Sequence, residues 1–240
     1  MNVLDLFSGI GGFSLGLERA GMKTVAFCEI DKKAQLVLKK HWPSVPIFED
    51  VSTLKREDIS EKVDVICGGF PCQDISLAGR GEGLAGARSG LWFQFHRLIE
   101  EIKPRYAIIE NVSALRSRGL DEVLRSLSEI GYDAECHCIP ASAIGAPHRR
   151  DRIWIVAYPN GTQCEGSCLS SRILEKDTNF GGTSWWKIEP AMDRVVNGLP
   201  RQSHRLKQLG NSVVPQIPEL IGRALMEQIA TERYSHDTYA

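Results

Sequence analysis

Three kinds of side chain that could act together on a substrate stand at the ends of apolar runs: the thiol of Cys72, the carboxyl group of Glu110, and the guanidinium groups of Arg149, Arg150 and Arg152. Cys72 follows the run Val63-Asp64-Val65-Ile66-Cys67 by way of Gly68-Gly69-Phe70-Pro71. The run reads as a buried strand, and the two glycines stop it. Ligands of open α/β sheets bind beyond the carboxyl ends of the strands, which is where a nucleophilic thiol would stand. A lone Pro-Cys step after a turn is more often an inert buried cysteine, so the thiol needs partners. Tyr106-Ala107-Ile108-Ile109-Glu110 repeats the pattern of apolar strand and terminal carboxylate. Glu110 is therefore either a cap or an acid/base partner on the same edge as Cys72. The arginines precede the strand-like run Ile153–Ala157 and are either surface charge or fixed donors for a base edge or a phosphate.

The elements that must position these groups read as alternating strands and helices. Asn2–Phe7 is a first strand, and Ser8-Gly9-Ile10-Gly11-Gly12 turns into a helix carrying Phe13, Leu15, Leu17 and Ala20 and ending at Gly21. A strand, a glycine turn and a helix N-terminus form a nucleotide-type pocket, although the spacing is not the full GxGxxG of dinucleotide sites. Thr24–Glu29 reads as a second strand with Glu29 at its carboxyl end, and Asp31 as the cap of the next helix. Ile47–Val51 is a third run with Asp50 near its end. Each carboxylate alone is as well explained by a turn, but two in successive strand-end positions suit an adenosine pocket. Ile75–Gly90 contains five glycines and reads as a lid loop beside Cys72.

Helices are expected over Leu91–Ile102 and Leu120–Ile130, the second stopped by Gly131. Tyr132–Ile139 alternates, so Cys136 and Cys138 share a face with Tyr132 and Ala134 and are expected in the core. A metal site of Cys136, His137, Cys164 and Cys168 is the minor alternative. Ile217, Leu220, Ile221, Ala224, Leu225 and Ile229 mark a last helix, with fraying expected from about Thr231.

The chain has 240 residues, 42% hydrophobic and 25% charged, enough for one α/β domain with an appendage. Its net charge of −1 excludes a polycation that coats nucleic acid by charge alone. The charge is uneven, however: Ala141–Gly210 carries ten Lys/Arg against six Asp/Glu, compatible with a phosphate-facing side. Trp185-Trp186 and Arg201–Lys207 add an aromatic and basic stretch. Seven cysteines without a CxxC pair support neither a disulfide framework nor a zinc ribbon. The start carries no signal-like pattern and no run is long enough to cross a membrane, so a cytoplasmic protein without membrane contact is expected.

Five stretches, in order, resemble the DNA (cytosine-5) methyltransferase family in its compact bacterial or phage form. They are Asp5–Phe13, Gly69–Ser76, Glu110-Asn111-Val112, Arg150-Asp151-Arg152 and Gly210–Pro215. The resemblance implies a Rossmann-like α/β sheet with helices on both faces and S-adenosyl-L-methionine as methyl donor. It makes Cys72 the nucleophile that adds to carbon 6 of cytosine, Glu110 the carboxyl group at N3, Arg152 the holder of the cytosine O2 and of Glu110, and Arg150 its supporting arginine. Phe7, Ser8, Gly9, Gly11 and Gly12 would wrap the donor, Glu29 its ribose, and Asp50 and Val51 its adenine edge. Pro71 and Leu91 would line the pocket, and Asn211, Ser212 and Val213 would close back on it. The target cytosine lies inside a duplex and must be flipped out, which gives the glycine-rich loop its purpose.

The resemblance also implies a division into a catalytic and donor-binding region (1–157), a reduced target-recognition region (158–209) and a returning C-terminal region (210–240). Only Tyr158–Leu209 is available for target recognition, so a short or degenerate target is expected. The expected partner is double-stranded DNA, with a cognate restriction enzyme as functional rather than physical partner and a monomeric chain. Alternatives on the same scaffold are a tRNA methyltransferase, a subunit needing a second polypeptide for duplex recognition, and a non-enzymatic DNA-binding subunit, the last disfavoured by intact Cys72, Glu110 and Arg152.

Overall fold

The computed structural model describes residues 1–71, 90–162 and 209–237, with side chains described up to residue 232. Strands β1 (Asn2–Leu6), β2 (Lys23–Cys28), β3 (Ile47–Phe48), β4 (Val65–Gly68), β5 (Tyr106–Val112), β6 (Tyr132–Pro140) and β7 (Asp151–Pro159) form one sheet in the order β3-β2-β1-β4-β5-β7-β6. The first five are mutually parallel where they pair, and β7 runs antiparallel between β5 and β6. The helices are α1 (Gly12–Arg19), α2 (Lys32–His41), α3 (Leu91–Ile102), α4 (Leu115–Arg118), α5 (Leu120–Glu129) and α6 (Gln216–Asp237).

The period of two along the strands sorts the core into two layers. Val3, Val65, Cys67, Ile108, Trp154 and Val156 face α1 and α6, meeting Phe13, Leu17, Ile217 and Ile221. Their neighbours Leu4, Leu6, Ile66, Ala107, Ile109 and Ile155 face the other way, toward Trp92, Phe95 and Leu98 of α3 and Val123 and Leu127 of α5. Helices thus cover both faces. At the ends of β1 and β4 the packing is tight: a β-carbon on Gly68 would fall 2.4 Å from the Leu6 carbonyl oxygen.

Several expected boundaries move, each for a local reason. β3 stops at Phe48 because the Asp50 carboxylate accepts from Ser52 N (2.8 Å) and Ser52 Oγ (2.7 Å), closing a side-chain turn that competes with the ladder. β7 begins earlier than its apolar run, at Asp151, so Arg152 lies within the strand instead of before it. The short α4 was not expected. α6 continues helical to Asp237, past the expected fraying point at Thr231.

Cys136 and Cys138 are exposed, which corrects their placement in the core. Their strand is the edge of the sheet, and α5 packs against the Tyr132 and Ala134 end of it, leaving the two thiols beyond its cover. Among the described residues no cluster of His, Cys, Asp or Glu has the arrangement of a metal site, and no helix is long and apolar enough to cross a membrane. Cys164 and Cys168 lie outside the described residues.

Candidate active site

The carboxyl edge of the parallel strands brings Glu110 and Arg152 together by register. Glu110 on β5 sits opposite Trp154 on β7, and Val112 opposite Arg152. Glu110 and Arg152 are therefore diagonal neighbours on one face of an antiparallel pair, within reach of a long side chain. Arg152 Nε meets Glu110 Oε1 at 2.9 Å, with only 12% of the Glu110 side chain exposed. Burial pushes the Glu110 carboxyl above its ordinary range, against the opposing pull of the Arg152 and Arg150 charges and the Arg152 hydrogen bond. A carboxyl group raised in this way holds its proton more readily than a free one.

The stretch leading to Cys72 is built against that carboxyl group. A β-carbon on Gly69 would fall 2.8 Å from Glu110 Oε2, so only glycine fits between β4 and Glu110 without displacing it. Phe70 is buried against Trp92, ring centroids 5.4 Å apart, and its carbonyl accepts from Asn111 Nδ2 at 3.3 Å. Asn111 also accepts from Val112 N at 2.7 Å and is itself buried. Cys72 and the loop Ile75–Gly90 lie outside the described residues up to 89; the description resumes at Gly90 and Leu91, which opens α3 and packs on the core.

The second half of the site is the turn after β1. Phe7 takes φ +53°, uncommon for a bulky residue and of the kind that clusters at ligand sites. Gly9 has φ +55°, with open space where a side chain would project. Its N–H donates to Glu29 Oε2 at 2.6 Å, while Glu29 Oε1 accepts from Asp31 N at 2.7 Å. The carboxylate is thus fixed at the mouth of the turn with lone pairs left for hydroxyl donors. Ser8 is spent internally, donating from Oγ to the Asp5 carbonyl at 2.6 Å. Asp31 caps α2 as expected, accepting from Lys33 N and Ala34 N. Beneath the turn, fully buried Asp5 accepts from Ser14 Oγ (2.7 Å) and Ser14 N (3.3 Å), and burial raises its carboxyl to about 7.

Ile30, which nothing in the local sequence marks out, is 75% exposed directly beside Glu29 and offers apolar surface to a flat ring. Val51 is buried, and its carbonyl is held by Arg97 Nη2 at 3.0 Å, which also holds the Leu54 carbonyl at 2.9 Å. Asp50 is exposed, its carboxylate lowered by its two bonds from Ser52. A carboxylate for hydroxyls, apolar surface for a ring and a glycine turn at a helix N-terminus suit an adenosine-bearing ligand.

The C-terminal stretch returns to this place. A β-carbon on Gly12 would fall 2.6 Å from the Val213 carbonyl oxygen and 3.1 Å from Ser212 Oγ. Ser212 and Val213 therefore lie against the start of α1. Arg150, expected as the supporting arginine beside Arg152, adds its charge to the field at Glu110. Its Nη1 and Nη2 donate to the carbonyls of Gly210 and Ser212, each at 2.7 Å.

The model of C-5 cytosine-specific DNA methylases matches residues 1–205 of this chain. The chain belongs to that family. Among relatives of this C-5 cytosine-specific family, the Type II methyltransferase M2.BsuMI of Bacillus subtilis strain 168 is 39% identical over 165 residues, covering 65% of this chain and 42% of the relative. The Type II methyltransferase M.CviJI of Paramecium bursaria Chlorella virus IL3A is 36% identical over 214 residues, covering 88% of this chain and 56% of the relative. A solved structure of a candidate DNA modification methyltransferase encoded within an Escherichia coli prophage aligns with TM-score 0.59 and 31% identity, over 70% of this chain and 49% of that one. The chain spans about half the length of these relatives. Family membership implies a methyl donor.

Proposed function

We propose that this chain methylates carbon 5 of a cytosine in DNA, with S-adenosyl-L-methionine as donor. One observation carries the reading: a buried glutamate with a raised pKa, paired to Arg152, packs against the glycine that leads into the Cys72 stretch. Carbon 5 of cytosine is a poor nucleophile, and a thiolate at carbon 6 overcomes this. The Cys72 thiolate forms a C–S bond to carbon 6, the ring electrons move toward carbon 5 and N3, and Glu110 shares its proton at N3. Arg152 holds Glu110 and offers its remaining donors to the cytosine O2. Carbon 5 then takes the methyl group of a bound sulfonium donor, which is left as a neutral thioether; the carbon 5 proton leaves to a base or water, the proton at N3 returns to Glu110, and the C–S bond to Cys72 breaks to restore the thiolate and the aromatic ring.

S-adenosyl-L-methionine supplies an electrophilic methyl group when bound. The chain's own part is to orient it: Glu29 toward the ribose hydroxyls, Ile30 and Val51 toward the adenine, and the Phe7–Gly12 turn toward the methionine portion, with Pro71, Leu91 and Asn211–Val213 around it. The division into 1–157, 158–209 and 210–240 fits this reading, the middle part being the short reader of a double-stranded target. Monomeric action, cytoplasmic location and a cognate restriction enzyme as functional counterpart complete the proposal.

The test is base-resolution mapping of 5-methylcytosine in DNA from cells expressing the chain, with Cys72→Ala as control. A short methylated sequence motif that vanishes in the control is expected. Unmodified DNA together with methylated tRNA would overturn the reading.

A further inference from the structure

We propose that Arg150 is a positioning residue for the donor side of the site, a strap that seats the 210–213 turn on the glycine turn before α1. The inference rests on the methyltransferase reading and adds to it a physical link between donor binding and the strand that carries Arg152. Both terminal nitrogens of Arg150 are engaged across some sixty residues of sequence, one on the Gly210 carbonyl and one on the Ser212 carbonyl. A forked guanidinium spans two carbonyls of one turn in a way that a single ammonium does not. On its other side the same turn touches α1, where the missing β-carbon of Gly12 makes room for the Val213 carbonyl. The 210–213 turn is thus caught between Arg150 and Gly12.

The backbone supports the assignment. Arg150 has φ +39°, a left-handed conformation that costs free energy in a residue with a β-carbon and persists where surrounding contacts impose it. Two residues on, Arg152 points back to Glu110. One strand start therefore divides its labour: Arg152 serves the carboxyl group that faces the base, and Arg150 serves the turn that faces the donor. Movement of the donor turn would be felt at Glu110 through only two residues of strand.

The experiment compares Arg150→Met, Arg150→Lys and Arg152→Met in the whole chain. Three readouts are taken: backbone hydrogen exchange at 209–214 without ligand, S-adenosylmethionine affinity by calorimetry, and turnover at saturating donor. Arg150→Met is expected to speed exchange at 209–214 while β5 and β7 stay protected. It should weaken donor affinity at least about tenfold, the worth of one charge-assisted hydrogen bond, and lower turnover by a smaller factor. Arg150→Lys should fall between Arg150→Met and the wild type. Arg152→Met should leave exchange at 209–214 and donor affinity near wild type while turnover collapses. Unchanged exchange at 209–214 in Arg150→Met refutes the strap, and unchanged donor affinity with faster exchange refutes its role toward the donor. A wild-type chain that binds no S-adenosylmethionine refutes the methyltransferase reading and the donor half of this proposal, while exchange at 209–214 still decides the strap.

Discussion

Asp5→Asn should change how the stability of this protein depends on pH, by an amount that the surroundings of Asp5 set. The carboxyl group is fully buried in β1, bonded by Ser14 at the start of α1, flanked by the Cys67 thiol and within the field of Glu29. Desolvation is the leading cause of its rise from 3.8 to about 7. A difference of about three pH units corresponds to about 4 kcal/mol. The sign follows from proton binding. Between about pH 4 and pH 7 the folded chain keeps this proton and the unfolded chain releases it, so stability declines as pH rises through that window and the contribution is gone above about 7. Asn keeps a carbonyl oxygen for the Ser14 hydroxyl and removes the titration. Urea unfolding of both proteins from pH 4.5 to 8 should show the wild type losing about 3 kcal/mol relative to Asp5→Asn, the part of the change that falls in this window, other carboxylates cancelling in the difference. Parallel curves would refute the assignment of a neutral, buried Asp5.

Other outcomes follow from single contacts. Gly69→Ala places a β-carbon against Glu110 Oε2, and should cost about 1–3 kcal/mol in melting experiments while lowering turnover at least about tenfold by moving Glu110 off Arg152. Asn111→Ala leaves the buried Phe70 carbonyl without its donor and should destabilise the fold by about 1–3 kcal/mol, read by urea unfolding. With Glu110 acting in its acid form, as proposed, the wild-type turnover should fall as pH rises through its raised pKa; Glu110→Gln should lack this limb and lose about 10²–10⁴ in rate.

The central strands were legible because both faces of the sheet are covered, so their residues form apolar runs with a polar residue where the run leaves the core. Glu29 stands just beyond such an end, and Glu110 lies two residues before the end of β5. The glycine turn, the α2 cap and the span of α3 were legible for similarly local reasons. What escaped the sequence depends on partners far along the chain. Arg152 belongs to β7 through pairing with Val112, which no local preference announces. Cys136 and Cys138 alternate like core residues, yet the edge position of β6 decides their exposure. Arg150 carries the same signal as Arg152 in the sequence, and only the return of residues 210–213 separates their tasks. Arg97 and Asn111 bind backbone carbonyls, which have no sequence signature at all.

The reversed direction of β7 sets a length requirement on the chain that follows it. β7 starts beside the edge that holds Glu110 and its nine residues carry the chain away, so that Pro159 lies opposite Tyr132 at the far margin of the sheet. Eight steps of roughly 3.3 Å put that margin about 26 Å from Asp151, the neighbour of Arg150. The chain is back at Arg150 by Gly210. Whatever lies between Thr162 and Leu209 must bridge that span, which takes roughly eight residues even when fully extended. Shortening this connection therefore has a floor fixed by the strand itself. A deletion series should keep the Arg150 bonds down to that floor and lose them below it.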